Sequence, residues 1–106
     1  MIRKVLIADQ GDVAIRLLSE YKRAGVKTVA VYTVQDCLSE HVQLADEVIC
    51  IGDTTQSYDS NWQHIISAAE ISEADAIHLG DGPLSTHERF AKACCKVGVQ
   101  ILGRSV

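Results

Sequence analysis

Three aspartates sit where short apolar runs of this chain give out. Asp9 follows K-V-L-I-A (Lys4–Ala8), Asp53 follows E-V-I-C-I and Gly52, and Asp81 follows A-I-H, Leu79 and Gly80. If those runs are parallel strands, the three carboxylates face one rim, where gathered oxygen ligands can hold Mg²⁺ or Ca²⁺. No second acidic residue adjoins Asp9, and aspartate suits a solvated turn for its own reasons, so no metal ligand is assigned. The glycine turn Ala8-Asp9-Gln10-Gly11-Asp12 has the place of a phosphate loop, in which helix N-terminal amides hold an anion. It carries one glycine and neither the G-x-G-x-x-G nor the G-x-x-x-x-G-K-[ST] pattern. Asp12 is expected to meet the positive end of its own helix, stabilising it by about 0.3–1 kcal/mol.

The remaining reactive side chains point to structure rather than catalysis. Of His41, His64, His78 and His87, His64 and His87 fall on predicted helices as surface positions. His78 ends a short apolar strand, where a lone histidine is expected to be a hydrogen-bonded structural residue. No serine or cysteine forms a nucleophile elbow with it. Cys37, Cys50, Cys94 and Cys95 include no C-x-x-C pair. A structural zinc site needs ligand pairs at short spacing from two places, so reduced, semi-buried thiols are expected instead.

These residues need a scaffold of alternating strands and helices. Lys4–Ala8 is a continuous apolar run, as a strand covered on both faces requires. A helix is predicted from Asp12 to about Ala24, with Ala14, Leu17, Leu18 and Tyr21 on one face and Gly25 closing it. Strands follow at Lys27–Tyr32, Glu47–Ile51, Ala76–His78 and Gln100–Leu102, with a short polar helical turn at Val34–Glu40. Two capping boxes, S-N-W-Q from Ser60 and S-T-H-E from Ser85, open two more helices. Their inward faces are Trp62, Ile65, Ile66 and Ala69, then Phe90, Ala93, Cys94 and Val97. Such alternation implies right-handed βαβ units: a three-layer α/β/α, Rossmann-like open parallel sheet of about five strands. Ligands of such sheets bind beyond the carboxyl ends of the strands.

The 106 residues suffice for one domain spanning 1–106. A net charge of -4 argues against nucleic acid or an anionic membrane as partner. No apolar run approaches the ~20 residues that span a bilayer. With three residues before the first apolar run, no leader peptide is expected, and the chain reads as cytoplasmic.

Taken in order, several stretches resemble the N-terminal domain of biotin carboxylase, which opens the biotin-dependent acyl-CoA and pyruvate carboxylases. They are I-R-K-V-L-I-A, G-D-V-A-I-R-L-L, G-V-K-T-V-A-V-Y, H-V-Q-L-A-D-E-V-I-C-I-G, I-I-S-A-A-E-I and A-D-A-I-H-L-G-D-G-P-L-S. The resemblance covers nearly the whole chain and implies a pre-ATP-grasp fold. It also implies an ATP-binding ligase of the kind used in fatty acid synthesis, working with Mg-ATP, bicarbonate and biotin. The family's ATP lid, nucleotide-clasping lysines, Mg-binding acids and catalytic arginine lie beyond the portion this chain resembles. No catalytic residue and no bound cofactor are therefore assigned to this chain alone. The implied partners are the remainder of a carboxylase and a biotin carrier protein.

Two loops of the family border its cleft. The first reads A-N-R-G-E in the family and Ala8-Asp9-Gln10-Gly11-Asp12 here. The second reads H-P-G-Y-G-F-L-S-E-N in the family and begins His78-Leu79-Gly80-Asp81-Gly82 here, so Gly80, Asp81 and Gly82 stand at the biotin-cleft wall. Asp81 replaces a tyrosine with a charge. The family's dimer uses an arginine and a glutamate where this chain has Ser19 and Arg23, so a homo-oligomer stays open. Two readings follow: one wall of a carboxylase cleft, inactive in isolation, or a free-standing, divergent, non-catalytic module acting in interaction or regulation.

Overall fold

Period-two burial of the first strand divides the molecule into two cores. The computed structural model describes residues 2–52, 62–79 and 87–102, apart from the side chain of Asp36. Strand β1 (Lys4–Ile7) sends Val5 and Ile7 to one face of the sheet and Leu6 to the other, all essentially without exposure. The Val5 face packs against α1 (Gly11–Arg23) through Ala14, Leu17 and Leu18, as the sequence predicts, with Tyr21 partly buried beside them. The Leu6 face packs with Val29 and Val31 of β2 (Lys27–Thr33) against α3 (Trp62–Ser72) and α4 (Glu88–Val97). Helices on both faces make the expected three layers.

The five strands are all parallel, in the order β3-β2-β1-β4-β5, with β3 at Glu47–Gly52, β4 at Ala76–His78 and β5 at Gln100–Leu102. The chain winds outward from β1 to β2 and β3, then crosses back to lay β4 on the free side of β1. The strand order reverses there, between β1 and β4. Among the described residues no helix is long and apolar enough to cross a membrane.

The helix ends follow local chemistry. Gly25 adopts φ +78 after α1, its N–H bonding Lys22 O at 3.1 Å while Val26 N–H bonds Tyr21 O at 3.0 Å. That double bond is the left-handed closure expected of glycine. The segment after β2 differs from expectation. The helical turn predicted for Val34–Glu40 is instead a 3₁₀ turn at Val34–Asp36, followed by a separate helix, α2, at Glu40–Leu44. The buried anchor of α2 is His41, whose Nε2 lies 3.2 Å from Val31 O. An apolar-periodicity reading cannot see an anchor that is a histidine.

Helix α4 also departs from expectation at both ends. Its cap is His87, whose Nδ1 accepts the Phe90 N–H at 3.0 Å. The predicted cap, Ser85, lies outside the described residues, as does Ser60 ahead of α3. Val97, expected inward, is exposed. The left-handed turn at Gly98 carries Val99 inward in its place, with the Val99 N–H on Cys94 O at 2.9 Å. The thiols divide sharply rather than being semi-buried: Cys94 is buried and Cys37, Cys50 and Cys95 are exposed. Burial pushes the Cys94 thiol up to about 11.

Carboxylates secure the amino edge of the sheet. Asp75 accepts the N–H groups of Arg3 at 2.8 Å and Lys4 at 3.0 Å. Asp46 accepts the Thr28 N–H at 2.9 Å and its hydroxyl at 3.1 Å. Lys4 Nζ meets Glu47 at 2.6 Å and Ser72 O at 2.8 Å.

Two outcomes are expected. Phe90 is fully buried, so Phe90→Ala should cost about 3–5 kcal/mol, read as a lower urea midpoint at unchanged slope. Backbone donors hold the Asp75 and Asp46 carboxyls below their ordinary range. Their stabilisation is complete above the unfolded value near 3.8 and is lost as pH falls through the lower folded values. Asp75→Asn should flatten the acid limb of a stability-versus-pH curve, and a limb of unchanged steepness would exclude this role.

Candidate functional site

The reversal between β1 and β4 places two chain segments side by side at the carboxyl rim. Ile7 pairs with His78, and the Ala8 N–H bonds His78 O at 2.9 Å. The loop leaving β1 and the loop leaving β4 therefore depart from a shared anchor. Leu79 N–H bonds Leu102 O at 3.1 Å, holding the second departure to β5 as well.

The first loop is built by its backbone. Gln10 is extended (φ -139, ψ 175), and Gly11 takes φ +67 to begin α1 one residue earlier than predicted. A Cβ at Gly11 would meet nothing within 4 Å, so conformation and not space calls for glycine. Asp9 Oδ1 accepts the Gln10 N–H at 2.7 Å. Gln10 makes no side-chain cap, and Asp12 lies in the first turn. Gln10, Gly11 and Asp12 are exposed and Asp9 is partly so. The arrangement presents helix amides, which favour an anion, under two carboxylates, which oppose one. Of the second loop, Gly80, Asp81 and Gly82 lie outside the described residues.

His78 lies half-buried at the foot of both loops. Its Nδ1 is 2.8 Å from Tyr21 Oη, with the two rings edge to face at 5.7 Å. Burial lowers the His78 pKa below the ordinary imidazole value, with Glu20 opposing and Arg16 adding to the effect. Burial, reinforced by Glu20, raises the Tyr21 phenol. Both groups are neutral at neutral pH and share one hydrogen bond that ties α1 to the end of β4. His78 thus has the hydrogen-bonded structural role expected of it. The sequence reading missed Tyr21 as its partner, because nothing local links residues 57 apart.

The other histidines are also engaged. His64 is exposed as expected, yet its Nδ1 holds Ile51 O at 2.7 Å. His87, expected as a bare surface residue, caps α4 and lies against Trp62, with ring centroids 5.1 Å apart. Among the described residues no three of His, Cys, Asp and Glu come together as a metal would require. Asp53 and Asp81 fall outside that description.

Comparison with known proteins matches this arrangement to one family. The family model "Biotin carboxylase, N-terminal domain" matches residues 1–106. Biotin carboxylase 1 of Bacillus subtilis is 43% identical over 107 residues, covering 99% of this chain and 24% of its own length. The crystal structure of a Campylobacter jejuni biotin carboxylase–βγ-ATP complex superposes with a TM-score of 0.90 at 38% identity, over 95% of this chain and 23% of that one. The biotin carboxylase domain dimer of Hydrogenobacter thermophilus 2-oxoglutarate carboxylase, in complex with MgADP, ADP and bicarbonate, gives 0.88 at 36%, over 95% and 22%. The chain spans about a quarter of the length of these relatives. It belongs to the biotin carboxylase N-terminal domain family.

Proposed function

We propose that this domain forms one wall of the cleft in which a biotin-dependent carboxylase uses Mg-ATP and bicarbonate to carboxylate biotin on a carrier protein. The observation that carries this reading is the pairing of strands β1 and β4 at the switch point, where open parallel sheets bind ligands. A full-length match to the carboxylase domain favours this role over a free-standing regulatory module. The domain's contribution is positional. The Ala8–His78 backbone bond and the Tyr21–His78 bond fix the ends of β1 and β4 from which both loops depart. Asp9, Gln10, Gly11 and Asp12 supply the described side of that wall, and Gly80, Asp81 and Gly82 are assigned to the other by the family resemblance alone. ATP cleavage, Mg²⁺ binding and proton transfer belong to the ATP-grasp portion that follows this domain in its relatives. The complete protein would then be a cytoplasmic, ATP-binding ligase serving fatty acid synthesis or a related acyl carboxylation.

The loop charges tune that role. Each unit of negative charge near an anion disfavours it by about 1 kcal/mol at 4 Å in a water-like dielectric, and by more as water is excluded. The first loop, formally -2, and Asp81 should therefore raise the KM for bicarbonate and ATP relative to the family's loops.

A chimera tests the reading: this domain replaces the first domain of an active biotin carboxylase, and biotin-dependent ATP hydrolysis is measured. The expected result is turnover above the blank, increased about fivefold or more by Asp9→Asn, Gln10→Arg and Asp81→Tyr together. The 106-residue chain alone should show no ATP cleavage. A folded chimera without turnover, both before and after those three changes, would overturn the proposal.

A further inference from the structure

The outer side of the α3/α4 layer carries a hollow that, among the described residues, shares none with the rim loops. It has a volume of about 600 Å³ and is lined by Trp62, Arg89, Lys92, Ala93, Cys95 and Lys96. Arg89, Lys92, Ala93 and Lys96 stand at i, i+3, i+4 and i+7 on α4, which is one face of a helix. Trp62, at the start of α3, forms the opposite wall. Its ring is braced edge to face by the buried Phe90 at 6.4 Å, and the His87 ring lies tilted against it at 5.1 Å. The Arg89 guanidinium lies 5.8 Å from the centre of the Trp62 ring.

Two features set this hollow apart from ordinary surface. Three cations gather here although the chain as a whole carries -4. None of the three forms an ion pair with a carboxylate among the described residues. The apolar floor of Trp62 and Ala93 lies within the same ring of charge. Its volume falls in the range of small-molecule sites, about 300–1,000 Å³. From Arg89 to Lys96 the helix rises only about 10 Å, so one ligand of that size reaches all three cations.

We propose that this hollow binds a small amphipathic anion. A planar aromatic or acyl body lies against Trp62 and Ala93, and a carboxylate, sulfonate or phosphate is held by Lys92 and Lys96 with Arg89 beside the ring. Arg89 keeps its contact with the aromatic wall, and the lysines supply point charges that follow the anion's position. The proposal does not rest on the carboxylase reading, since none of the described residues that line the hollow belongs to the rim.

The test uses the aromatic sulfonate 1-anilinonaphthalene-8-sulfonate as probe and the neutral N-phenyl-1-naphthylamine as control. Trp62 is the only tryptophan in the chain, so quenching of its emission reports occupancy. Cys95 lines the hollow, whereas the exposed Cys37 and Cys50 lie elsewhere, giving an internal comparison. Saturating sulfonate should quench Trp62 and slow iodoacetamide labelling of Cys95 about tenfold, with Cys37 and Cys50 unchanged. The double variant Lys92→Glu/Lys96→Glu should weaken sulfonate binding about tenfold or more and leave the neutral probe unaffected. Unreactive Cys94 in the variant shows that the fold is intact. Equal slowing of all three exposed thiols, equal affinity for charged and neutral probes, or a double variant that binds as wild type would each overturn the proposal.

Discussion

The dryness of β1 on both faces is the constraint on which the remaining structure depends. Val5, Leu6 and Ile7 have essentially no solvent exposure, so each face of that strand must be covered before the strand can exist. Coverage by α1 on one side and by α3 and α4 on the other creates the three layers. Pairing of both β1 edges, by β2 and β4, then puts the topological reversal at the strand's carboxyl end. The position of the switch point is thus a consequence of how one four-residue strand is buried.

The two ends of the sheet do different work. At the amino edge, Asp75 and Asp46 take backbone donors from neighbouring segments, and Lys4 bridges to Glu47 and the end of α3. Those carboxylates are held by their partners. At the carboxyl edge, Asp12 sits exposed above helix amides, and Gly11 holds a left-handed turn that few residues could replace. Stability is concentrated where no ligand is expected, and the rim is left to vary in charge while its backbone geometry persists.

Element types and order were legible in the sequence because two-sided burial writes itself as runs such as V-L-I and V-A-V, and helix burial as Ala14, Leu17 and Leu18. The five strands accordingly lie within a residue of their predicted ends. What escaped were the long-range pairings. The lateral placement of β4 beside β1 and the Tyr21–His78 bond join distant residues, and the anchoring of α2 by His41 on Val31 O is a polar contact that apolar periodicity does not show. Inward placement of Val99 instead of Val97 depended on a left-handed turn that reorients the chain after α4. Of the candidate site, the β1 loop is described in full. Its charges were readable from residue types, whereas its adjacency to His78 came only from the strand order.

The reversal at β1 also bears on how such a domain is made. The segment through β3 provides a half-sheet whose innermost strand, β1, still has one edge unpaired and one face bare. Residues 76–78 that close that edge emerge more than twenty positions after β3 ends, and the α4 side chains that cover the face emerge later still. During synthesis the second edge of β1 therefore stays unpaired until β4 has emerged, an interval in which an open, apolar strand edge is exposed. Pairing of β1 with β4 is a contact between residues some seventy positions apart, the kind of non-local closure that slows folding.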